Sequence, residues 1–431
     1  MRGLSAVAVA TTMAPGAFGA VQARVFPEDF LWGAATAGHQ IEGNNTNSDL
    51  WFLEHLPGSV FVEPSGDACN SLELWSQDLD LVKSMGLGAY RFSLEWARIE
   101  PEAGRWSTAM LDHYLRIVEG CHARGLKPVL TFNHFTSPRW FAAAGGWASA
   151  EAPRRFADFC DRAARHLGDG LQSAITFNEP NLPGLLAYLG LPPPLLAQQR
   201  QMLENAAKQL GVERFMPLNV MHPDDYPAVL PSLLAGHRAA REAIKAAQPR
   251  LPVGVSLAIV DDQAVGDPAR RDAKRAALYE PWLELARDDD FIGVQNYERS
   301  RIGPEGPLPP PAGARSGQTA PELWPGSLAG AVRYAHAVCG RPVMVTEHGV
   351  GTENDADRQW MIEEGLAGLH QAMQEGVPVL GYFHWSLLDN FEWIFGYRPK
   401  FGLASVDRRT FERRAKPSAA VLGRIARRNA L

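Results

Sequence analysis

The feature that most constrains the fold of this chain is an eightfold alternation of short apolar runs with longer helical stretches. The apolar runs are Phe30–Ala35, Ala89–Leu94, Pro128–Phe132, Ala174–Phe177, Val253–Val260, Phe291–Val294, Val343–Thr346 and Val379–Phe383. Each has the length and the branched or aromatic content of a buried strand. The stretches between them place apolar residues three and four apart. Leu72, Trp75, Leu79, Val82 and Met85 form one such stripe. The same pattern predicts helices over 111–124, 153–167, 228–247, 271–287, 328–339, 355–374 and 417–427. Pro153 suits a helix start, and Gly125 and Gly376 suit left-handed caps. Eight strands alternating with eight helices predict a single α/β domain, a (β/α)8 TIM barrel spanning 24–431. Two long βα loops are expected, Leu191–Pro231 after strand four and Arg301–Gly326 after strand six. They read as partial walls of a site's outer half.

In such a barrel functional groups gather at the C-terminal strand ends. Here those ends carry Gln40, Arg91, His134, Asn178, Glu179, Asn296, Tyr297, Glu347 and Trp385. So many polar residues at strand ends are not explained by core packing. Two ends share a design: Ile175-Thr176-Phe177-Asn178-Glu179-Pro180 and Val343-Met344-Val345-Thr346-Glu347-His348-Gly349. Each runs from strand formers into a glutamate and then breaks at proline or glycine. The glutamates are far apart in sequence, so only a fold can pair them. A pair of carboxylates flanking one bond is what acid/base glycoside chemistry requires.

Composition excludes several other classes. A formal net charge of −6 without a Lys/Arg run leaves no footprint for nucleic acid. The N-terminal apolar run is too short and too weak for a membrane span, and no other stretch is a candidate. Residues 1–23 read as either a secretory signal, with Val21-Gln22-Ala23 as a cleavage site, or a disordered leader, so the location is cytoplasmic or exported. The four cysteines lack close pairing and read as buried thiols. His39, His134, His348 and His384 lack the spacing of a metal site, so neither metal nor cofactor is expected. Twelve tryptophans suit a pocket that stacks on sugar rings.

Five blocks, in order, resemble glycoside hydrolase family 1, the retaining β-glucosidase family. They are Phe26–Gly43, Tyr90–Pro101, Thr176–Pro180, Val345–Gly349 and Trp385–Trp393, the last followed by Gly396-Tyr397 and Phe401-Gly402. The resemblance covers nearly the whole chain. It implies Glu179 as general acid/base and Glu347 as nucleophile. It implies Gln40, His134, Asn178, Trp385, Glu392 and Trp393 as sugar-holding residues, and Arg91, Asn296 and Tyr297 as supports of the nucleophile. One departure is visible: His348 stands where the family usually has Asn. Adjacent strand residues face opposite sides, so His348 is expected to face the helices if Glu347 faces the axis.

Retention needs carboxyls about 5–5.5 Å apart, one neutral and one ionised. Glu179 is therefore expected to be raised toward roughly 6–7, and Glu347 to be kept ionised by Arg91 and Tyr297. Glu392, which in the family holds two sugar hydroxyls, would repel a phosphorylated sugar. The expected substrate is an unphosphorylated β-glycoside or short oligosaccharide, glucosides first and galactosides or fucosides next. A transglycosidase with the same residues and a catalytically inactive sugar-binding barrel are the alternatives.

Overall fold

The computed structural model describes residues 24–320 and 322–431; the leader reading for residues 1–23 lies outside them. Among the described residues eight parallel strands close into a barrel in sequence order. They are β1 (Leu31–Ala35), β2 (Ala89–Ser93), β3 (Lys127–Asn133), β4 (Ser173–Asn178), β5 (Val253–Ala258), β6 (Phe291–Asn296), β7 (Val343–His348) and β8 (Val379–Trp385). β1 pairs with both β2 and β8, which seals the ring and leaves no edge.

The helices that follow the strands are α1 (Ser71–Met85), α2 (Thr108–Ala123), α3 (Ala152–Leu167), α4 (Tyr226–Ala247), α5 (Ala269–Leu278), α6 (Ser327–Cys339), α7 (Asp355–Gln374) and α8 (Pro417–Arg428). Gly125 and Gly376 adopt φ of +68° and +101° just beyond α2 and α7, as their positions predict. Side chains inside the ring, including Ile175, Phe291, Met344 and Phe383, form one apolar cluster. The outward strand residues and the inner helix faces form a larger one. In the larger cluster, Phe156 of α3 stacks on Phe177 at 4.6 Å between ring centroids, and Trp147 meets the same ring at 5.1 Å. Such aromatic pairs add about 0.5–1.5 kcal/mol each beyond area burial. They fix the strand that leads into Glu179.

Three elements differ from the sequence reading. The segment after β4 is mostly helical, with helices Leu182–Leu189 and Pro193–Leu210. The Pro193–Leu210 helix buries Gln199, Met202, Leu203, Ala206 and Ala207, an amphipathic stripe that the proline-rich start at 192–194 obscures. Met202, Leu203 and Phe215 pack on Leu50, Leu53 and Phe61, so this segment braces the rim. Second, the barrel strand stops two residues short of the expected Val260. β5 ends at Ala258, and Asp261–Ala264 joins a small separate sheet with Arg299–Gly303 and Gly306–Pro307. Third, the expected helix over 271–287 is interrupted at Tyr279, after which Glu280–Leu285 restarts with Pro281 near its start. Among the described residues no helix is long and apolar enough to cross a membrane.

Candidate active site

Two irregularities in strand pairing aim the residues of the barrel's C-terminal rim. In β7, Met344 packs inside the ring and Val345 outside. Strict alternation from there would leave Glu347 among the helices. The pairing slips between Val345 and Glu347 against β6, and between Val345 and His348 against β8. Beyond the slip Glu347 faces the axis and His348 the helices. The His348 ring nitrogen Nδ1 lies 2.9 Å from the Tyr382 hydroxyl, and a Cβ added to Gly365 of α7 would come within 2.8 Å of that ring.

β4 does the same. Ile175 points inward, while Thr176 meets His237 of α4 at 2.7 Å and Phe177 packs on the helices. The pairing to β5 slips between Ile175 and Asn178, which turns Asn178 onto the axis. Such bulges re-aim side chains next to functional sites. Glu179 follows at φ +45°, a left-handed conformation that costs a non-glycine residue about 1–3 kcal/mol. Two backbone bonds hold it there: its N–H donates to Ser256 at 2.8 Å and its carbonyl accepts from Leu182 at 3.0 Å.

Glu179 and Glu347 line one cavity of about 240 Å³, together with Asn178, His134, Tyr297, Glu392, Trp385 and Trp393. Their surroundings differ sharply. Glu347 Oε1 accepts from Arg91 Nη1 at 2.6 Å and from Gln295 Nε2 at 2.9 Å, and its Oε2 accepts from the Tyr297 hydroxyl at 2.6 Å. Among the described residues the Glu179 carboxyl has no hydrogen bond or ion pair. Burial, with the charge of Glu347 next, pushes Glu179 well above the ordinary carboxylate range. Burial raises Glu347 as well, but Arg91 and Tyr297 oppose it. Arg91 is itself fixed by Asn178 Oδ1 at 2.6 Å and Thr131 Oγ1 at 3.1 Å.

The expected support from Asn296 is corrected. Its amide donates to the carbonyls of Ile259 (2.8 Å) and Glu298 (3.0 Å), and its oxygen accepts from Ser327 at 2.7 Å. Gln295 instead reaches both Glu347 and Asn178, the latter at 2.7 Å. Alternation explains the exchange. Ile292 and Val294 pack outward on β6, so Gln295 and Tyr297 share the inner face and Asn296 does not. Two adjacent strand residues could not both have served Glu347, and that parity was available in the sequence.

Across the cavity, Glu392 Oε1 accepts from Trp385 Nε1 at 3.1 Å and Gln40 Nε2 at 3.3 Å. Gln40 is anchored by the Phe391 carbonyl at 2.8 Å. His134 stacks on Trp385 and Trp393, with centroids 5.6 and 6.1 Å away. Gln40 Oε1, His134 Nδ1 and Asn178 Nδ2 have no partner among the described residues. Burial lifts Glu392 to about 8, against the opposing hydrogen bonds from Trp385 and Gln40. A network that sequence reasoning missed lies behind this floor. His39 stacks on Trp393 at 5.9 Å and pairs with Glu54 at 2.7 Å, while Glu95 accepts from the His39 N–H, Asn45 and Thr136, each at 2.7 Å. These residues hold the chain segment that presents Gln40.

A larger depression of about 1,050 Å³ lies on the outer face among Arg299, Trp324 and Trp360. Neither Glu179 nor Glu347 lines it, and its Glu322 is engaged by Arg299 at 2.6 Å.

Comparison with known proteins points the same way as the geometry. The model of glycosyl hydrolase family 1 matches residues 22–212 and 330–431. A beta-glucosidase of Agrobacterium sp. (strain ATCC 21400) is 32% identical, covering 91% of this chain and 93% of that protein. The apo structure of a beta-glucosidase superposes with a TM-score of 0.89 at 42% identity, covering 93% of this chain and 98% of the other. A beta-glycosidase from Pyrococcus horikoshii gives 0.81 at 32% identity, covering 95% and 96%.

Proposed function

This chain belongs to glycosyl hydrolase family 1 and hydrolyses β-glycosides; from that premise we propose a retaining mechanism with Glu347 as nucleophile and Glu179 as general acid/base. The observation that carries the assignment is the asymmetry of the two carboxyls in one cavity. Three donors, one of them a guanidinium, favour the charged form of Glu347. Burial without any donor favours the neutral form of Glu179.

In the first step a Glu347 oxygen attacks the anomeric carbon. The bond to the leaving oxygen breaks, and that oxygen takes the Glu179 proton and departs as an alcohol. In the second step Glu179, now a carboxylate, removes a proton from water. The water oxygen attacks the same carbon and Glu347 leaves, so the configuration is restored. Gln40, His134, Asn178, Glu392, Trp385 and Trp393 hold the sugar. The unpaired atoms of Gln40, His134 and Asn178 provide one acceptor, one ring nitrogen and one donor for hydroxyls. Arg91, Gln295 and Tyr297 position Glu347. Asn296 serves the loop behind it.

The cavity is smaller than the about 300–1,000 Å³ typical for drug-sized ligands, which suits one pyranose unit and the start of a leaving group. Among the described residues its lining includes four carboxyl side chains and neither Lys nor Arg. Exclusion of phosphorylated sugars therefore rests on the absence of a cationic partner as well as on Glu392. The preferred substrates are unphosphorylated β-glucosides, then β-galactosides or β-fucosides.

The test is a rate panel of aryl β-glucoside, β-galactoside, β-fucoside, β-mannoside and 6-phospho-β-glucoside, with Glu347→Ala as control. Turnover of the glucoside that vanishes in the variant is expected. Wild-type activity in Glu347→Ala would refute the assignment.

A further inference from the structure

The sugar-holding set leaves part of the cavity lining unused: Leu182, Glu298, Thr319 and Phe395. They share one cavity with Glu179, the group that would protonate the leaving oxygen. The leaving group lies next to that oxygen, and these residues are the cavity lining that remains available to it.

Two of them are chemically conspicuous. Phe395 is 42% exposed although it lines a cavity, and it stands two residues from Trp393 on one short turn. An exposed aromatic face at a pocket mouth is a platform for a planar apolar group. Glu298 is half-buried, yet among the described residues its carboxyl has no hydrogen bond or ion pair. The neighbouring cation, Lys274, is engaged by Asp262 at 2.5 Å. A desolvated carboxyl without a partner costs free energy that a ligand group can recover. Glu298 is also fixed in place. It follows Tyr297, which is tied to Glu347, and its own carbonyl accepts from Asn296 at 3.0 Å and from the Asp261 N–H at 3.2 Å.

We infer that Phe395 and Glu298 form a leaving-group subsite that favours planar apolar aglycones bearing a cationic or hydrogen-bond-donating group and disfavours those bearing a carboxylate. This inference rests on the assignment of Glu179 and Glu347 above. Phe395 and Leu182 supply apolar contact, Thr319 a hydroxyl, and Glu298 the selection by charge.

The test compares 4-(aminomethyl)phenyl and 4-(carboxymethyl)phenyl β-glucosides, whose phenol leaving groups are electronically similar. The wild type is expected to favour the amine, and Glu298→Gln to lower the amine-to-carboxylate ratio of kcat/KM by about two- to fivefold. The ratio is the readout, so a general loss of activity or fold cancels. Phe395→Ala, at an exposed position, is expected to lower the preference for phenyl over methyl β-glucoside by about two- to tenfold. An unchanged charge ratio in Glu298→Gln, or an unchanged aryl preference in Phe395→Ala, overturns the inference. Calorimetric binding of the same two glucosides to Glu347→Ala, with and without Glu298→Gln, gives the charge comparison without turnover. Failure of the catalytic assignment is thereby separated from failure of the subsite.

Discussion

Tyr297→Phe tests the electrostatic design of the proposed nucleophile, Glu347, most directly. The Tyr297 hydroxyl donates to Glu347 Oε2 at 2.6 Å, and among the described residues it is the only donor to that oxygen. Arg91 and Gln295 both serve Oε1 and remain in the variant. Loss of one hydrogen bond to an ionised group is worth about 1.5–3 kcal/mol. Burial already raises Glu347, and Tyr297 is one of the groups that oppose the rise. Its removal therefore moves the Glu347 carboxyl upward. As the proposed nucleophile Glu347 must be charged to act, so the acid limb of kcat/KM is expected to move to higher pH in the variant. Below both transitions the ionised fraction falls by the full Boltzmann factor, roughly 10- to 150-fold for the energy above. Above both transitions this cause of loss disappears, so the ratio of wild type to variant should shrink as pH rises. The assay is kcat/KM for an aryl β-glucoside from pH 4 to 8, with the melting temperature as a control for folding. A loss that is constant across pH, or an acid limb that stays in place or moves down, would refute the argument.

Four further tests address other parts of the structure. Gln295→Ala should lower kcat/KM about tenfold by removing a bond to Glu347. Asn296→Ala should mainly lower the melting temperature, because its partners are Ile259, Glu298 and Ser327. The reverse pattern in kinetics and thermal melts would restore Asn296 to the site. Asp49 is fully buried, with Oδ1 bonded to the N–H groups of Leu50 and Ser137 and Oδ2 unpaired, and burial lifts it to about 7. A raised carboxyl binds its proton more tightly in the folded state, so its contribution to stability is present at low pH and is lost as pH rises toward 7. Asp49→Asn should therefore gain stability relative to wild type between pH 4 and pH 8, on the order of a few kcal/mol. A relative loss over that range in denaturant titrations would contradict the sign. Finally, Cys69, Cys121, Cys160 and Cys339 are all free and buried, and burial pushes Cys69 and Cys121 up to about 12. A thiol reagent at pH 8 should label none of them rapidly in the native protein and all four after unfolding; fast native labelling would show the thiols accessible.

The barrel was legible in the sequence because it is written in two periods. Eight apolar runs and eight amphipathic stretches need no knowledge of what contacts what, and every expected strand belongs to the closed ring. Pro180 and Gly349 marked where β4 and β7 must end, and thereby placed two glutamates at the C-terminal rim. The Pro193–Leu210 helix was less legible, because its stripe begins inside a proline-rich stretch that reads as a loop. Asn296 was misplaced for a different reason. Local parity separates it from Tyr297, but identifying which face is inner requires the outward packing of Ile292 and Val294.

What the sequence by itself determined is therefore the fold, the end of the barrel that bears the site and the residue types gathered there. What only the tertiary structure decided is the direction in which those residues point. Counted from Met344 and Ile175, a regular two-residue period turns Glu347 and Asn178 away from the axis. Slips in pairing within β4 and β7 turn them back. A slip is a relation between neighbouring strands, set by which partner each backbone group finds, and no single strand's sequence contains it. The same holds for the difference between the two glutamates. Both end apolar runs, yet one meets Arg91, Gln295 and Tyr297 and the other meets none of them. That contrast exists only once residues far apart in the chain converge on one cavity.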